Sequence, residues 1–213
     1  MRTEYEKQLA ELKSDIIELC MATEQAIRKV TDALLDGDVM KAETIKNDYE
    51  SISSQERDIE TLCMRIIMKQ QPVATDLREI TAALKMVTDL DRMGNQAEDM
   101  AEIIRHGFAL NPPKDLHFDD MSEATVKMVS ESIDSFVKKD ENLANTVIKY
   151  DDVVDNYFDD IKNLLINKIK KGSIDVEAMT DYLMLAKYYE RIGDHAENVA
   201  DWVIFSLGGE IEK

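Results

Sequence analysis

The chain has 213 residues, with 26 Lys+Arg against 44 Asp+Glu and a net charge of −18. That length makes one large domain or two small ones, and that charge excludes non-specific attraction to nucleic acid or an anionic membrane, both of which need clustered cations. Seven Gly and three Pro in the whole chain favour long helices over the many tight turns of a sandwich or barrel.

The N-terminus, MRTEYEKQLAELKSD, alternates charges where a secretory signal needs a basic patch and an apolar run. No stretch reaches the roughly 18 apolar residues of a membrane span. A cytoplasmic protein without membrane insertion is expected. Cys20 and Cys63 have no CxxC spacing and fall within helical apolar patterns, so they read as small buried hydrophobes.

Six long helical segments follow in chain order. The first, 3–36, spaces Leu9, Leu12, Ile16, Leu19, Thr23, Ile27, Val30 and Leu34 by three and four, one apolar stripe along a helix. It stops at Asp36-Gly37. The second runs from Val39 to Gln70, with Asp38 as N-cap and Pro72 beyond its end. The third starts at Thr75 or Asp76, a capping position with Glu79 behind it, and runs to Gly107. Residues 108–120, FALNPPKDLHFDD, break every periodicity and are expected to link two units, 1–107 and 121–213. Segments 121–138, 140–171 and 174–207 complete the second unit, the last ending at Gly208-Gly209. Helices of thirty residues are roughly 45 Å long and pack side by side as antiparallel bundles.

The halves repeat. An offset of 99 pairs Asp76/Asp175, Thr81/Thr180, Leu84/Leu183, Arg92/Arg191, Gly94/Gly193, Ala97/Ala196, Glu98/Glu197 and Ala101/Ala200 as identities. Upstream, an offset of 103 pairs Asp48 with Asp151, implying a loop four residues longer in the first half. The expected fold is all-α, a tandem repeat of two three-helix bundles.

Glu190, Asp194, Glu197 and Asp201 stand at i, i+4, i+7 and i+11, one acidic stripe on the sixth helix. Asp151, Asp155 and Asp159 form a second stripe on the fifth. Such like-charge pairs cost roughly 0.2–0.5 kcal/mol each when exposed and more when desolvated, a cost that a bound cation removes. Carboxylates from two facing helices are hard ligands, suited to Mg, Mn, Ca or iron. On spacing alone, in a chain of net charge −18, such a stripe on a long helix is usually a solvated face. His195 sits about 100° round the helix from Asp194 and is not placed as a ligand by spacing. Gly94 and Gly193, mid-helix at matching repeat positions, call for a close approach by a crossing helix or a ligand.

ERIGDHAENVADW (190–202), DRMGNQAEDMAE (91–102) and QPVATDLREI (71–80), together with the two-fold repeat, resemble the PhoU family of phosphate-transport accessory proteins from Leu9 to about Phe205. The resemblance implies two three-helix bundles, a homodimer, and E/D-xxx-D motifs that hold metal. Carried over by position, it places a metal site at Asp151, Asp155, Glu190 and Asp194. Glu197, Asp201, His195 and Arg191 stand around it. In the first repeat it leaves a weaker set, Asp48, Asp91 and Asn95, because Asn95 stands where an Asp is expected and Ile52 where Asp48 needs an acidic partner. The implied cofactor is a divalent or trivalent ion, with iron, Mn, Mg, Zn and Ca undistinguished.

By the same resemblance the chain is a regulator of phosphate uptake and phosphate-starvation signalling, an adaptor between a phosphate ABC transporter and a membrane sensor histidine kinase. The alternatives are a structural helical oligomer without metal and an accessory of another phosphate permease. An enzyme is not expected. No nucleophile has an adjacent base, and the Glu-x-x-His pair of di-iron bundles is absent, Ile192, Ile103 and Lys114 preceding the three histidines by three residues. Arg92 and Arg191 are expected in inter-helix salt bridges. Trp202, Tyr188 and Tyr189 are expected as packing residues.

Overall fold

The computed structural model describes residues 2–208, all-helical apart from short connections. The helices are α1 (Arg2–Asp36), α2 (Val39–Glu43), α3 (Ile45–Gln70), α4 (Ala74–His106), α5 (Phe118–Lys138), α6 (Glu141–Lys170) and α7 (Val176–Ser206). Helices α1, α3 and α4 make the first three-helix unit, and α5, α6 and α7 the second. Gly209 lies outside the described residues.

Three local expectations change. The predicted second helix is two, α2 and α3. At the junction the Thr44 hydroxyl donates to the Lys41 carbonyl at 2.7 Å, the competition a short β-branched side chain offers the backbone ladder. Asp38 does cap α2, accepting from the Lys41 amide at 2.9 Å. Helix α4 starts from Val73, not from Thr75 or Asp76. Pro72 ends the preceding turn and Asp76 falls inside the first turn, where its charge complements the helix dipole. Helix α5 begins at Phe118, and segment 108–120 packs rather than dangles, with Ala109, Leu116 and Phe118 buried.

One apolar core runs through both units, from Leu12 and Ile16 on α1 to Val199 and Val203 on α7. Cys20 and Cys63 are buried within it as free thiols. The most extensive helix contact joins α4 to α7, one from each repeat. They run antiparallel: Arg78 lies 4.6 Å over the Phe205 ring, Asp89 meets His195, and Asp99 lies beside Arg191. Tyr189 of α7 is fully buried, its hydroxyl 2.6 Å from that of Thr31 on α1, which is 2.8 Å from that of Ser122 on α5. Its packing role is therefore as expected.

Glu79 of α4 is buried and held by Lys13 of α1 at 3.0 Å and by Lys139, just past α5, at 2.9 Å. Burial alone would raise its carboxyl, but the two ammonium groups more than offset this and hold it below the usual range. Since the folded-state value is depressed, the contribution is present above the ordinary carboxyl range and lost as pH falls through the folded value. Glu79→Gln should cost about 1–3 kcal/mol at pH 7. Urea unfolding at pH 7 and pH 3 checks this: the gap to wild type should narrow in acid.

Candidate metal centre

The acidic stripes of α6 and α7 face each other, as glycine shows directly. A Cβ added to Gly193 would stand 3.0 Å from Asp151 Oδ1 and 3.4 Å from Val154 Cγ1. The crossing helix and the carboxylate thus share one approach, and the missing side chain lets Asp151 lie against the α7 backbone. Burial raises Asp151 most, followed by the charges of Glu197, Asp155, Asp194 and Glu190, and together they push its carboxyl up to about 7. Burial and neighbouring acids raise Asp155, Asp194 and Glu197 as well, with Lys187 working against them at Asp155 and Asp194.

Two oxygens there are buried with no hydrogen-bond partner, Asp151 Oδ1 and Glu190 Oε2. The other Glu190 oxygen accepts from the Lys187 ammonium. An unpaired buried charge is costly, and the one lysine leaves several carboxylates uncompensated. Oxygen donors from two helices fit a hard cation. Their ligating atoms are spread more widely than a chelating group. Among the described residues, the three-residue set of candidate ligands within 4.8 Å of one another is the exposed His117, Asp119 and Asp120. Gathering a cation between α6 and α7 therefore requires side-chain rotation, as carboxylates repelling one another would undergo on neutralisation.

The surrounding residues divide. Glu197 adds charge to the cluster and Asp201 continues the stripe. His195 turns away, its Nδ1 2.9 Å from Asp89 Oδ1 on α4. Arg191 lies 5.9 Å over the Tyr188 ring and faces Asp99 of α4. Arg92 does not make the inter-helix bridge expected of it. It pairs with Asp89 one turn earlier on its own helix, at 3.8 Å.

The first repeat corrects the register. Asp48 turns to α1, where Lys29 meets it at 2.7 Å. The residues over Gly94 are Ile52, 3.0 Å from an added Cβ, and Tyr49. Ile52 thus stands where Asp151 stands, at the constant offset of 99. Buried Ile45, Leu62 and Ile66 match Ala144, Ile161 and Leu165 at the same offset. The first-half connection is accordingly not longer: three residues separate α3 from α4, and five separate α6 from α7. The acids facing Asp91 are Glu56 and Glu60, which a constant offset would have found as partners of Asp155 and Asp159. Asp91 has a buried oxygen without a partner. Burial raises it, while the Ser53 hydroxyl, Arg57 and Arg92 work against the rise. Asn95 donates to Asp99 at 3.3 Å, within its own helix.

The family model described as the PhoU domain matches residues 16–104 and again 118–203. This chain belongs to the PhoU family. It is 34% identical over 213 residues to a phosphate-specific transport system accessory protein PhoU homolog of Clostridium acetobutylicum, covering 97% of this chain and 95% of that protein. A homolog of the same description from Aquifex aeolicus is 37% identical over 210 residues, covering 97% and 94%. The crystal structure of PhoU from Pseudomonas aeruginosa superposes with TM-score 0.87 at 28% identity, covering 95% of this chain and 98% of that one. PhoU of Streptococcus pneumoniae, described as a phosphate transport system regulatory protein, shares the fold at TM-score 0.89 and 22% identity, covering 98% and 99%. Among the described residues, no helix is long and apolar enough to cross a membrane.

Proposed function

We propose that this chain is a regulatory accessory protein of phosphate uptake that binds a hard cation between α6 and α7. The proposed adaptor role lies between a phosphate ABC transporter and a membrane sensor histidine kinase, and it rests on family membership. So do the homodimer, the cytoplasmic location and the absence of catalysis. Long helices joined by short connections offer side surfaces for partner docking.

The metal reading rests on one observation above all: two carboxylate oxygens, Asp151 Oδ1 and Glu190 Oε2, are buried without partners amid further acids. Asp151, Asp155, Glu190 and Asp194 are its ligands. Bound there, the cation would neutralise the facing stripes and hold α6 against α7. The first repeat is the weaker site, since Ile52 occupies the place over its glycine and Arg57 supplies charge of the wrong sign.

Alanine at both Glu190 and Asp194 should abolish metal retention, measured by elemental analysis of untagged protein. The same change at Asp91 and Asn95 should leave most of it. Equal loss from the two pairs overturns the asymmetry. For the adaptor role, pull-downs from phosphate-replete and phosphate-starved cells should recover transporter and kinase components in a phosphate-dependent way. Recovery of neither overturns it.

A further inference from the structure

At the end of the α7 acidic stripe marked by Asp201, the α4–α7 seam opens into a cleft of about 360 Å³. Its α4 wall presents Lys85, Thr88 and Arg92, and its α7 wall presents Asn198, Asp201 and Trp202. Lys85 and Arg92 are exposed, two turns apart on one helix face, in a chain of net charge −18. The acid beside them, Asp89, is already engaged by His195 at 2.9 Å and by Arg92 at 3.8 Å. Trp202 is partly buried and held edge-on by Phe205, ring centroids 5.5 Å apart, with Arg78 on Phe205 in turn. The indole is thus positioned in the cleft wall rather than buried in the core.

The repeat supplies an internal comparison. At the offset of 99, Lys85 corresponds to Met184, Asn198 to Asp99 and Trp202 to Ile103. The matching stretch of the seam has neither the indole nor the amide; it keeps two cations, since Lys187 stands at the place of Thr88, but Lys187 is taken by Glu190 and Arg191 covers the Tyr188 ring. The combination of two cations, an amide and an indole therefore belongs to one half alone, and the two-fold packing does not require it.

We infer that this cleft binds a small phosphorylated compound carrying a planar ring, of nucleoside monophosphate size. Lys85 and Arg92 meet the phosphate, the ring packs on Trp202, and Asn198 and Asp201 read the polar edge of the ring or its sugar hydroxyls. Cations take phosphate oxygens by charge-assisted hydrogen bonds, and stacking on an aromatic side chain supplies the affinity that a lone anion would lack. The volume lies within the range of small-molecule sites. Of the acidic stripe only Asp201, at its far end, borders the cleft, and none of Asp151, Asp155, Glu190 and Asp194 lines it, so this site stands or falls independently of the metal reading.

Trp202 is the single tryptophan, so intrinsic fluorescence reports on the cleft directly. The full chain would be titrated with AMP, adenosine, ribose 5-phosphate and inorganic phosphate. AMP should change the emission saturably, and each of the three fragments should bind at least about tenfold more weakly. Lys85→Ala and Arg92→Ala should each weaken AMP by about tenfold or more, while exposed Lys114→Ala leaves it unchanged. Calorimetric titration of Trp202→Phe, which loses the signal but keeps a ring, should still show binding. An unchanged emission up to about 5 mM AMP would overturn the site. So would equal affinity for AMP and inorganic phosphate, or a titration that neither alanine variant shifts.

Discussion

Asp151→Asn is expected to stabilise the metal-free protein and to weaken its hold on metal, two effects of opposite sign from one substituted atom. Burial and four neighbouring carboxylates push the Asp151 carboxyl up to about 7. The folded-state value stands above the unfolded one, near 3.9. Between the two, the folded chain binds the extra proton, so the metal-free protein loses stability as pH rises from about 4 to about 7. At pH 8 the ionised group carries its full penalty. It is about half-buried, so solvent screening leaves roughly 1–2 kcal/mol of it. Asparagine has the same shape and no charge. Its midpoint temperature without metal should exceed wild type by a few degrees at pH 8, roughly 2–8 °C for a chain of this size, and the gain should shrink as pH falls below about 7 and vanish only at about pH 4 and below. A variant less stable than wild type at pH 8 would mean that Asp151 is not a repelled charge.

Tyr189→Ala should cost about 3–5 kcal/mol, the larger of the two effects. The ring is fully buried between Phe118 and the helix interior, with centroids 6.2 Å apart. Its hydroxyl ties α7 of the second repeat to Thr31 of α1 in the first. Removing the ring leaves a cavity where the repeats meet and takes one partner from the Thr31 hydroxyl, which keeps Ser122 and the Ile27 carbonyl. Tyr189→Phe separates the terms. It keeps the ring and should cost about 1–2 kcal/mol. Denaturant unfolding should show one cooperative transition for all three proteins, since one core runs through both units. Two separate transitions in Tyr189→Phe would show that the repeats fold independently.

The fold was legible because its long helices carry their periodicity in the open. Leu12, Ile16, Leu19, Ile27, Val30 and Leu34 are all buried, as their spacing requires. Helix ends were less so. Thr75 and Asp76 have the chemistry of caps, but Pro72 and the turn before it decide where α4 begins, and Thr44 breaks a helix through a local hydrogen bond that no apolar period records. The acidic stripes could be seen on each helix separately. What they face could not, because the register between two helices depends on packing. Matching Asp48 to Asp151 by residue type put the wrong carboxylate opposite Asp91. The buried positions Ile45, Leu62 and Ile66 keep the true offset of 99, and following them brings Glu56 and Glu60 into place. The inter-repeat pair His195–Asp89 was hidden for the same reason, its partners lying 106 residues apart.

A cation between α6 and α7 is tested most directly by elemental analysis of untagged, chelator-free protein. A transition-metal or alkaline-earth ion is expected in the wild-type protein, lost when Glu190 and Asp194 are both alanine, with thermal stability falling on chelation and restored by the same ion. Metal-free wild-type protein whose melting temperature does not move on adding iron, Mn, Mg, Zn or Ca would contradict it.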